Sequence, residues 1–579
     1  MSKLVLLAIN AKYVHSSLSV WVLAGGVSRN SFLSHNVCVV ETTINQEINE
    51  IVSLVAVHKP EVVGISTYIW NAHKLQDLMM SLRATLPKLV IVLGGPEASH
   101  NSDYWLKRGA DHVIIGEGEY SLPALLDELE TCGCAPSPRL HQINSVLPPL
   151  ESSSVFCGDI AAAMPRDTSL AQPLCEAEGK ERDTTEEDAK SLDPIDPYSE
   201  DFLHALKGRI AYLETSRGCP FRCAFCLSGE SSVRFFPLQV VKSQIDKLSR
   251  SGTKTIKLVD RTFNCDRDRA YELFAYIISL DTDCCFHFEV AADLFDVDTL
   301  SLLSSAAPGR IQLEAGLQSF HEPALTASSR KTNIRKAEEN IRELLKHGNI
   351  HLHLDLIAGL PYETLPDFIN GFNRAFALRA HTLQLGFLKL LHGSVLRKQA
   401  NELGICYSAD PPYEITGSPW MNSKDLQVLK KAENALQRTY NKGRFLSTLE
   451  YVFSVSKLSP FELFHHIGEA APNHGTALNT YAKQLYDCLV SFPNIDNDIL
   501  KDAMTCDWLA MVKGKNLPQF LKKDYKHRKQ MHRLAESKLG RTMHRDECVL
   551  LSSGKALYVD SADRDPVTSL YRLHYIDKR

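Results

Sequence analysis

Glu214-Thr-Ser-Arg-Gly-Cys219-Pro-Phe-Arg-Cys223-Ala-Phe-Cys226-Leu-Ser-Gly229 sets three cysteines at CxxxCxxC spacing in one short loop. The loop follows the apolar run Ile210-Ala-Tyr-Leu213, so the thiols stand at the end of a predicted strand. Three thiolates this close can hold three irons of a cubane [4Fe-4S] cluster and leave the fourth iron without a protein ligand, open to chemistry. Structural zinc is the weaker reading, because it takes four protein ligands in paired sets and no second pair lies at zinc-finger distance. The remaining alternative is three buried structural cysteines, against which the clustering beside Gly218 and Pro220 weighs.

In spacing, aromatic residue and flanking Gly-Cys together, this loop resembles the signature of the radical S-adenosylmethionine (SAM) enzymes. The resemblance implies that the amino and carboxylate groups of SAM fill the open iron. It further implies that an electron from the cluster cleaves the sulfonium to a 5'-deoxyadenosyl radical, and that Phe225 lies beside the adenine.

Outward from the loop, six strand-like runs alternate with helical segments, at 210–213, 255–259, 285–290, 311–316, 350–357 and 383–391. Regular β/α alternation predicts parallel strands that curl into a barrel or part of one, with function carried at their carboxyl ends. Polar groups recur at those ends, where a half-buried charge is costly unless it binds something. They are Asp260, Glu289, Gln318-Ser319 and Asp355, with Arg330 in a following loop. A zwitterionic nucleoside takes this mixture: carboxylates for ribose hydroxyls or an ammonium, an arginine fork for a carboxylate, an amide for either.

The resemblance to radical SAM enzymes covers this whole span and implies a partial (β/α)6 barrel. On the motifs Gly316-Leu-Gln-Ser319 and Asp355-Leu-Ile-Ala-Gly-Leu-Pro361 it implies SAM contacts for Glu289, Gln318, Arg330 and Asp355. Bracing of a turn by Gln318, and pairing of Arg330 with a helix carboxylate, stand as structural alternatives. The family's Gly-Gly-Glu after the second strand is replaced by Val259-Asp-Arg-Thr-Phe-Asn264, which leaves Asp260 as the group to meet the methionine ammonium.

Before this span, apolar runs at 4–9, 37–40, 62–66, 89–93 and 112–115 predict a parallel α/β sheet covered on both faces, Rossmann-like in its winding. Ligands of such a sheet sit at the carboxyl ends of the strands. Those ends carry Ser66-Thr67-Tyr68, Gly94-Gly95-Pro96 and Gly116-Glu117-Gly118-Glu119, small residues that let backbone approach a bulky ligand. Together they resemble the cobalamin-binding domain that precedes the radical domain in one large class of these enzymes. The resemblance implies cobalamin contacts at Ser66, Thr67, Gly94, Gly95, Gly116, Glu117 and Gly118. The family's Asp-x-His-x-x-Gly is replaced by Asn10-Ala-Lys-Tyr-Val-His15, with the histidine out of register. That departure implies cobalamin with no imidazole beneath the metal, and leaves His15 a helix-start or packing role.

The chain thus divides into a cobalamin-binding-type domain at 1–130, a flexible connector at 131–195, a radical SAM barrel at 196–395 and a mostly helical region at 396–579. The connector lacks apolar periodicity, and its Cys132, Cys134, Cys157 and Cys175 are too dispersed for a site. Beyond the barrel, helical periodicity at 426–440 and 478–492 predicts a packed bundle. The basic run 522–533 reads as a solvated helix face. Pro411-Pro-Tyr-Glu-Ile-Thr416, with Val233-Arg-Phe-Phe-Pro237 and Leu388-Lys-Leu-Leu-His-Gly393, resembles an uncharacterised B12-binding-type radical SAM group with its own carboxyl-terminal domain of unknown function. Such a region is placed to close the barrel mouth and choose the substrate, because radicals must be shielded from water.

A net charge of -5, from 64 basic and 69 acidic residues among 579, supplies no overall pull towards a polyanion, so nucleic acid is unsupported as a partner. Fifteen irregularly spaced cysteines, no leading signal peptide and no apolar run of about 18 residues point to a cytoplasmic protein without a membrane anchor. The resemblance implies a cobalamin-dependent radical SAM methyltransferase acting on an unactivated carbon of a small-molecule or peptide substrate, with a flavodoxin or ferredoxin as electron donor. A radical rearrangement or RNA-modifying enzyme is the alternative within enzymes, and a non-catalytic cobalamin or iron-sulfur sensor the alternative outside them. A methylthiotransferase is disfavoured, since Cys38 alone precedes residue 130 and cannot hold a second cluster.

Overall fold

A computed structural model of the chain describes residues 3–132, 139–142, 194–229, 232–471, 475–512, 517–522 and 548–576, with scattered positions from 533 to 542. Most of the predicted connector, including Cys134, Cys157 and Cys175, and most of the basic run lie outside the described residues.

Strands β1 (Lys3–Asn10), β2 (Asn36–Thr43), β3 (Val62–Ser66), β4 (Val90–Gly94), β5 (His112–Ile115) and β6 (Arg139–Gln142) form a sheet in the order β2-β1-β3-β4-β5-β6. Every pairing is parallel. Leu4, Val5, Leu6 and Leu7 are all fully buried, because helices cover both faces and each face of β1 meets its own apolar cluster. The winding reverses between β1 and β3, and at that switch point a crevice opens at the carboxyl ends of the strands. Strand β6 extends the sheet into the stretch predicted as connector.

The second sheet holds β7 (Ile210–Leu213), β10 (Thr255–Leu258), β11 (Cys285–Val290), β12 (Ile311–Gln318), β13 (His351–Ala358) and β14 (Thr382–Phe387). It is parallel and sequential, β7-β10-β11-β12-β13-β14, with a helix between successive strands from β10 on. That is the winding of a partial barrel. A two-residue antiparallel ladder, β8 (Ser216–Arg217) with β9 (Arg234–Phe235), frames the cysteine loop.

Burial alternates strictly along β11, β12 and β13. Phe286, Phe288, Leu313, Leu352 and Leu354 pack against the helices, while the residues between them, polar in most cases, face the lumen.

After a short ladder of β15 (Cys406–Tyr407) with β16 (Ile415–Gly417), five helices follow: Ser423–Arg438, Leu446–Val455, Pro460–Ala470, Leu478–Leu489 and Asn497–Met511. Capping boxes at Asn422/Asp425 and Ser459/Glu462 satisfy the first backbone N–H groups of the first and third. Phe461 and Phe464 of the third helix pack edge-on against Phe372, which lies on the barrel helix Leu365–Ala377. The chain then forms an antiparallel sheet of β17 (Cys548–Leu550), β18 (Ala556–Arg564) and β19 (Tyr571–Ile576), an element absent from the expectation of a mostly helical region. Among the described residues, no helix is long and apolar enough to cross a membrane.

Candidate cluster and cofactor site

The cysteine loop leaves β7, as a functional loop of a parallel barrel does. Cys223 is buried, and Cys219 and Cys226 are half-buried. Each sulfur meets one donor-bearing group: Thr262 Oγ1 lies 3.5 Å from Cys219 Sγ, Arg330 Nη1 donates to Cys223 Sγ at 3.6 Å, and Ser228 N–H donates to Cys226 Sγ at 3.4 Å. Burial pushes the Cys223 thiol up; Arg330 opposes this, while Cys226 and Cys219 reinforce it. Three thiols on one short loop, each with a donor at its sulfur, are the chemistry a site-open iron-sulfur cluster needs, so the donor set fits that group.

The residues singled out as SAM contacts take distinct positions. Phe225 is half-buried against the core. Arg330 reaches Cys223, Gly316 O at 2.8 Å and Thr332 Oγ1 at 3.0 Å, and lies over the Phe221 ring. It therefore ties the end of β12 to the cysteine loop, and among the described residues no helix carboxylate pairs with it. Gln318 closes β12 with φ of 68°, at a register shift against β13. Asp260 is 2% exposed, and both its oxygens are engaged. Oδ2 accepts from Thr215 N–H at 3.1 Å, and Oδ1 from Thr215 Oγ1 at 2.7 Å and Ser216 Oγ at 2.5 Å. Its observed work is to brace the strand end that launches the cysteine loop.

Glu289 and Asp355 belong to a charged network on the lumen face. Lys257 Nζ lies 3.7 Å from Glu289 and 3.2 Å from Glu314; His287 Nε2 lies 2.9 Å from Glu314, and His353 Nε2 2.8 Å from Asp355. Burial pushes the Glu289 and Asp355 carboxyls up. Glu314 is held at about 2 in spite of burial, by His287, Lys257 and His353. His353 is raised in spite of burial, by Asp355. Lys257, His287, Glu314 and His353 are the members that sequence reasoning passes over. Their signal is period-2 alternation inside apolar runs, as in Cys285-Phe-His-Phe-Glu-Val290, which puts every second residue on one face.

On the first sheet, Gly95 has φ of 99°, and a Cβ there would meet Thr67 O at 2.6 Å, so only glycine fits the turn. At Gly94 an added Cβ would meet nothing nearer than 3.9 Å. Two successive glycines leave this strand end without side chains, which suits close approach of a broad flat ligand such as a corrin. Ser66 is buried at the end of β3. Thr67 is fully buried and internal to the turn: Oγ1 donates to Gly94 O at 2.8 Å and accepts from Ala98 N–H at 2.9 Å. Gly116 and Gly118 flank Glu117, which is engaged across the domain boundary. Arg217 Nη1 lies 3.1 Å from Glu117 and 2.6 Å from Glu119, its other side grips Glu214 at 3.0 Å, and Arg234 also pairs with Glu117. His15 is occupied as well, with Nδ1 2.7 Å from the hydroxyl of Tyr212 on β7.

Comparison with known proteins agrees with this layout. The B12 binding domain model matches residues 4–126, the Radical SAM superfamily model residues 213–374, and a model described as a protein of unknown function, DUF4080, residues 401–547. The cobalamin-dependent radical SAM methyltransferase TokK of Streptomyces tokunonensis is 24% identical over 339 residues, 54% of this chain and 44% of that protein. The chain thus spans less than half the length of that curated relative. Among solved structures, the cobalamin-dependent SAM radical enzyme OxsB with aqua-cobalamin bound has a TM-score of 0.56 at 13% identity, over 94% of this chain and 82% of its own. The radical SAM methyltransferase TsrM from Kitasatospora setae, with tryptophan and a SAM analogue bound, has a TM-score of 0.51 at 15% identity, over 72% and 80%. These two likenesses are of fold. The chain therefore carries, in order along the two parallel sheets and the helical region, a B12-binding domain, a Radical SAM domain and a DUF4080 domain.

Proposed function

We propose that the chain is a radical SAM enzyme that uses a [4Fe-4S] cluster, SAM and cobalamin to methylate an unactivated carbon. The observation that carries this reading is the contact of Arg217, two residues before Cys219, with Glu117 and Glu119 at the last strand end of the first sheet. Through it the cobalamin-type edge and the cysteine loop meet, and proximity of two reacting groups is what transfer between them requires. When bound, the cluster supplies the electron that cleaves SAM to methionine and a 5'-deoxyadenosyl radical, and cobalamin supplies the methyl group.

The chain's own residues do the rest. Cys219, Cys223 and Cys226 hold the three ligated irons. Arg330 and Gln318, at the end of β12, take the methionine carboxylate and the nucleoside of SAM, with Phe225 against the adenine and Glu289 and Asp355 towards its hydroxyls. Asp260 fixes the launch of the loop. Ser66, Thr67, Gly94, Gly95, Gly116 and Gly118 shape the corrin edge. Glu117 locks that edge to the barrel. Lys257, His287, Glu314 and His353 give the lumen polar groups, held in one network, with which to orient a polar small-molecule or peptide substrate. The electrons come from a flavodoxin- or ferredoxin-type donor.

The test is turnover of a substrate with methyl-labelled SAM by anaerobically reconstituted protein. Methyl transfer releases both S-adenosylhomocysteine and 5'-deoxyadenosine and leaves the label in the product. Release of 5'-deoxyadenosine with no labelled product, from protein loaded with cobalamin and substrate, would replace this reading by a radical rearrangement.

A further inference from the structure

The short helix Pro96–His100 begins at the Gly94-Gly95 turn, and the segment that opens the carboxyl-terminal region grips it. Tyr413 Oη donates to Glu97 Oε1 at 2.7 Å, with the two residues 3% and 6% exposed. The His392 ring stands edge-on to Tyr413 at 4.9 Å and lies 3.3 Å from Asn101 Nδ2. Gly393, with φ of 90°, presses so close to the His100 ring that a Cβ would fall 2.3 Å from Nδ1.

The same segment is tied to the barrel. Leu390 N–H donates to Tyr413 O and Ile415 N–H to Leu388 O, both at 2.9 Å, just beyond the end of β14. Arg397 stacks over the rings of Tyr407 and Tyr413 at 5.0 and 4.9 Å. Burial and the Glu97 carboxylate push the Tyr413 phenol up, so it remains a donor. Contacts therefore run without a break from the end of β14 through Tyr413 and Glu97 to Gly95.

We propose that Tyr413 and His392 are positioning residues, and that the segment from Leu388 to Ile415, which leaves the end of β14 and enters the DUF4080 region, is a strap holding the Gly94-Gly95 turn, and any cobalamin on it, in place against the barrel. A surface-to-surface touch between domains would not need a buried phenol–carboxylate bond, which is costly to leave half-made. The inference rests on the cobalamin reading above for its ligand, but its geometry is independent of it.

The experiment compares full-length wild type, Tyr413→Phe and Tyr440→Phe. Tyr440 is a buried tyrosine of the same region whose hydroxyl donates to Ala380 O, within the barrel and helical part, and it serves as the control. Hydroxocobalamin affinity is measured by absorbance titration, and hydrogen–deuterium exchange of residues 94–101 is measured on protein without cobalamin. Tyr413→Phe should bind about tenfold more weakly, the change that one charge-assisted bond represents, and exchange faster at 94–101. Tyr440→Phe should match wild type in both. Unchanged exchange in Tyr413→Phe, or equal changes in Tyr440→Phe, overturns the strap. Wild-type protein that takes up no hydroxocobalamin refutes the cobalamin reading instead, and the exchange measurement alone then decides the strap.

Discussion

Glu363, in Gly359-Leu-Pro-Tyr-Glu-Thr364, is a buried acid beside the candidate SAM site, and its proton should be visible in the stability of the protein. The residue is 1% exposed. Its Oε1 accepts from the hydroxyl of Ser319, which follows Gln318, and its Oε2 is buried with no hydrogen-bond partner. Burial pushes the carboxyl from 4.5 up to about 8, with the Ser319 hydroxyl opposing and Asp367 adding to the rise. The folded protein therefore holds this proton more tightly than the unfolded chain does. The associated stability is full below the unfolded value and lost as pH rises through about 8. Between pH 6 and pH 9 the loss comes to about 3 kcal/mol. Glu363→Gln keeps the shape and the acceptor for Ser319 but has no proton to lose. Thermal unfolding of both proteins at pH 6 and pH 9 cancels the titration of every other group. For a cooperative unit of roughly 380 residues, barrel and helices on one core, the melting temperature of the variant should gain about 3–4 °C on wild type over that interval. Melting curves that shift in parallel, with the gap constant to within about 2 °C, would refute the buried neutral acid.

Two further outcomes follow from the site. Replacing Cys219, Cys223 and Cys226 together with Ala should abolish iron uptake on anaerobic reconstitution while hydroxocobalamin uptake persists; a triple variant with full iron content would sink the assignment of these ligands. Arg217→Met leaves Glu117, Glu119 and Glu214 without their shared cation, Glu119 buried and the other two half-buried, and should lower the local opening free energy at 116–119 and 214–219 by about 2–3 kcal/mol. Hydrogen exchange reads this directly, and unchanged protection at both segments would count against the ion network as a lock.

The two parallel sheets were open to reading because their strands are short apolar runs at regular intervals, and local composition suffices for that. The cysteine loop stands out for the same reason: its three cysteines lie within eight residues of one another. What eluded reading depended on partners far away in sequence. For Asp260 these are Thr215 and Ser216, which the pairing of β7 with β10 brings onto both its oxygens. Glu117 sits among loop glycines like a cofactor contact, and its cations, Arg217 and Arg234, arrive from across the domain boundary. The lumen network was hidden differently, since Lys257, His287, Glu314 and His353 each interrupt an apolar run by a single residue. The terminal sheet left a usable trace: Tyr571-Arg-Leu-His-Tyr-Ile576 alternates in the manner of a strand, but the helical periodicity before it invited extension to the end of the chain.

Three family segments meet in this chain, but the apolar interior is partitioned otherwise. The first sheet has its own two clusters, one on each face. A single continuous core runs from Leu213 and Phe286 of the barrel through Phe372 and Phe376 to Phe464 and Tyr481 of the helical region. Modularity therefore has a seam on one side only. The first domain meets the barrel mainly through polar bonds and ion pairs, with Trp21 stacked on Phe202 at 4.7 Å as an apolar contact, the kind of boundary along which a domain can be exchanged or lost over evolution. The helices that follow the barrel share its apolar core, so a change of volume on one side is felt on the other and the two diversify together.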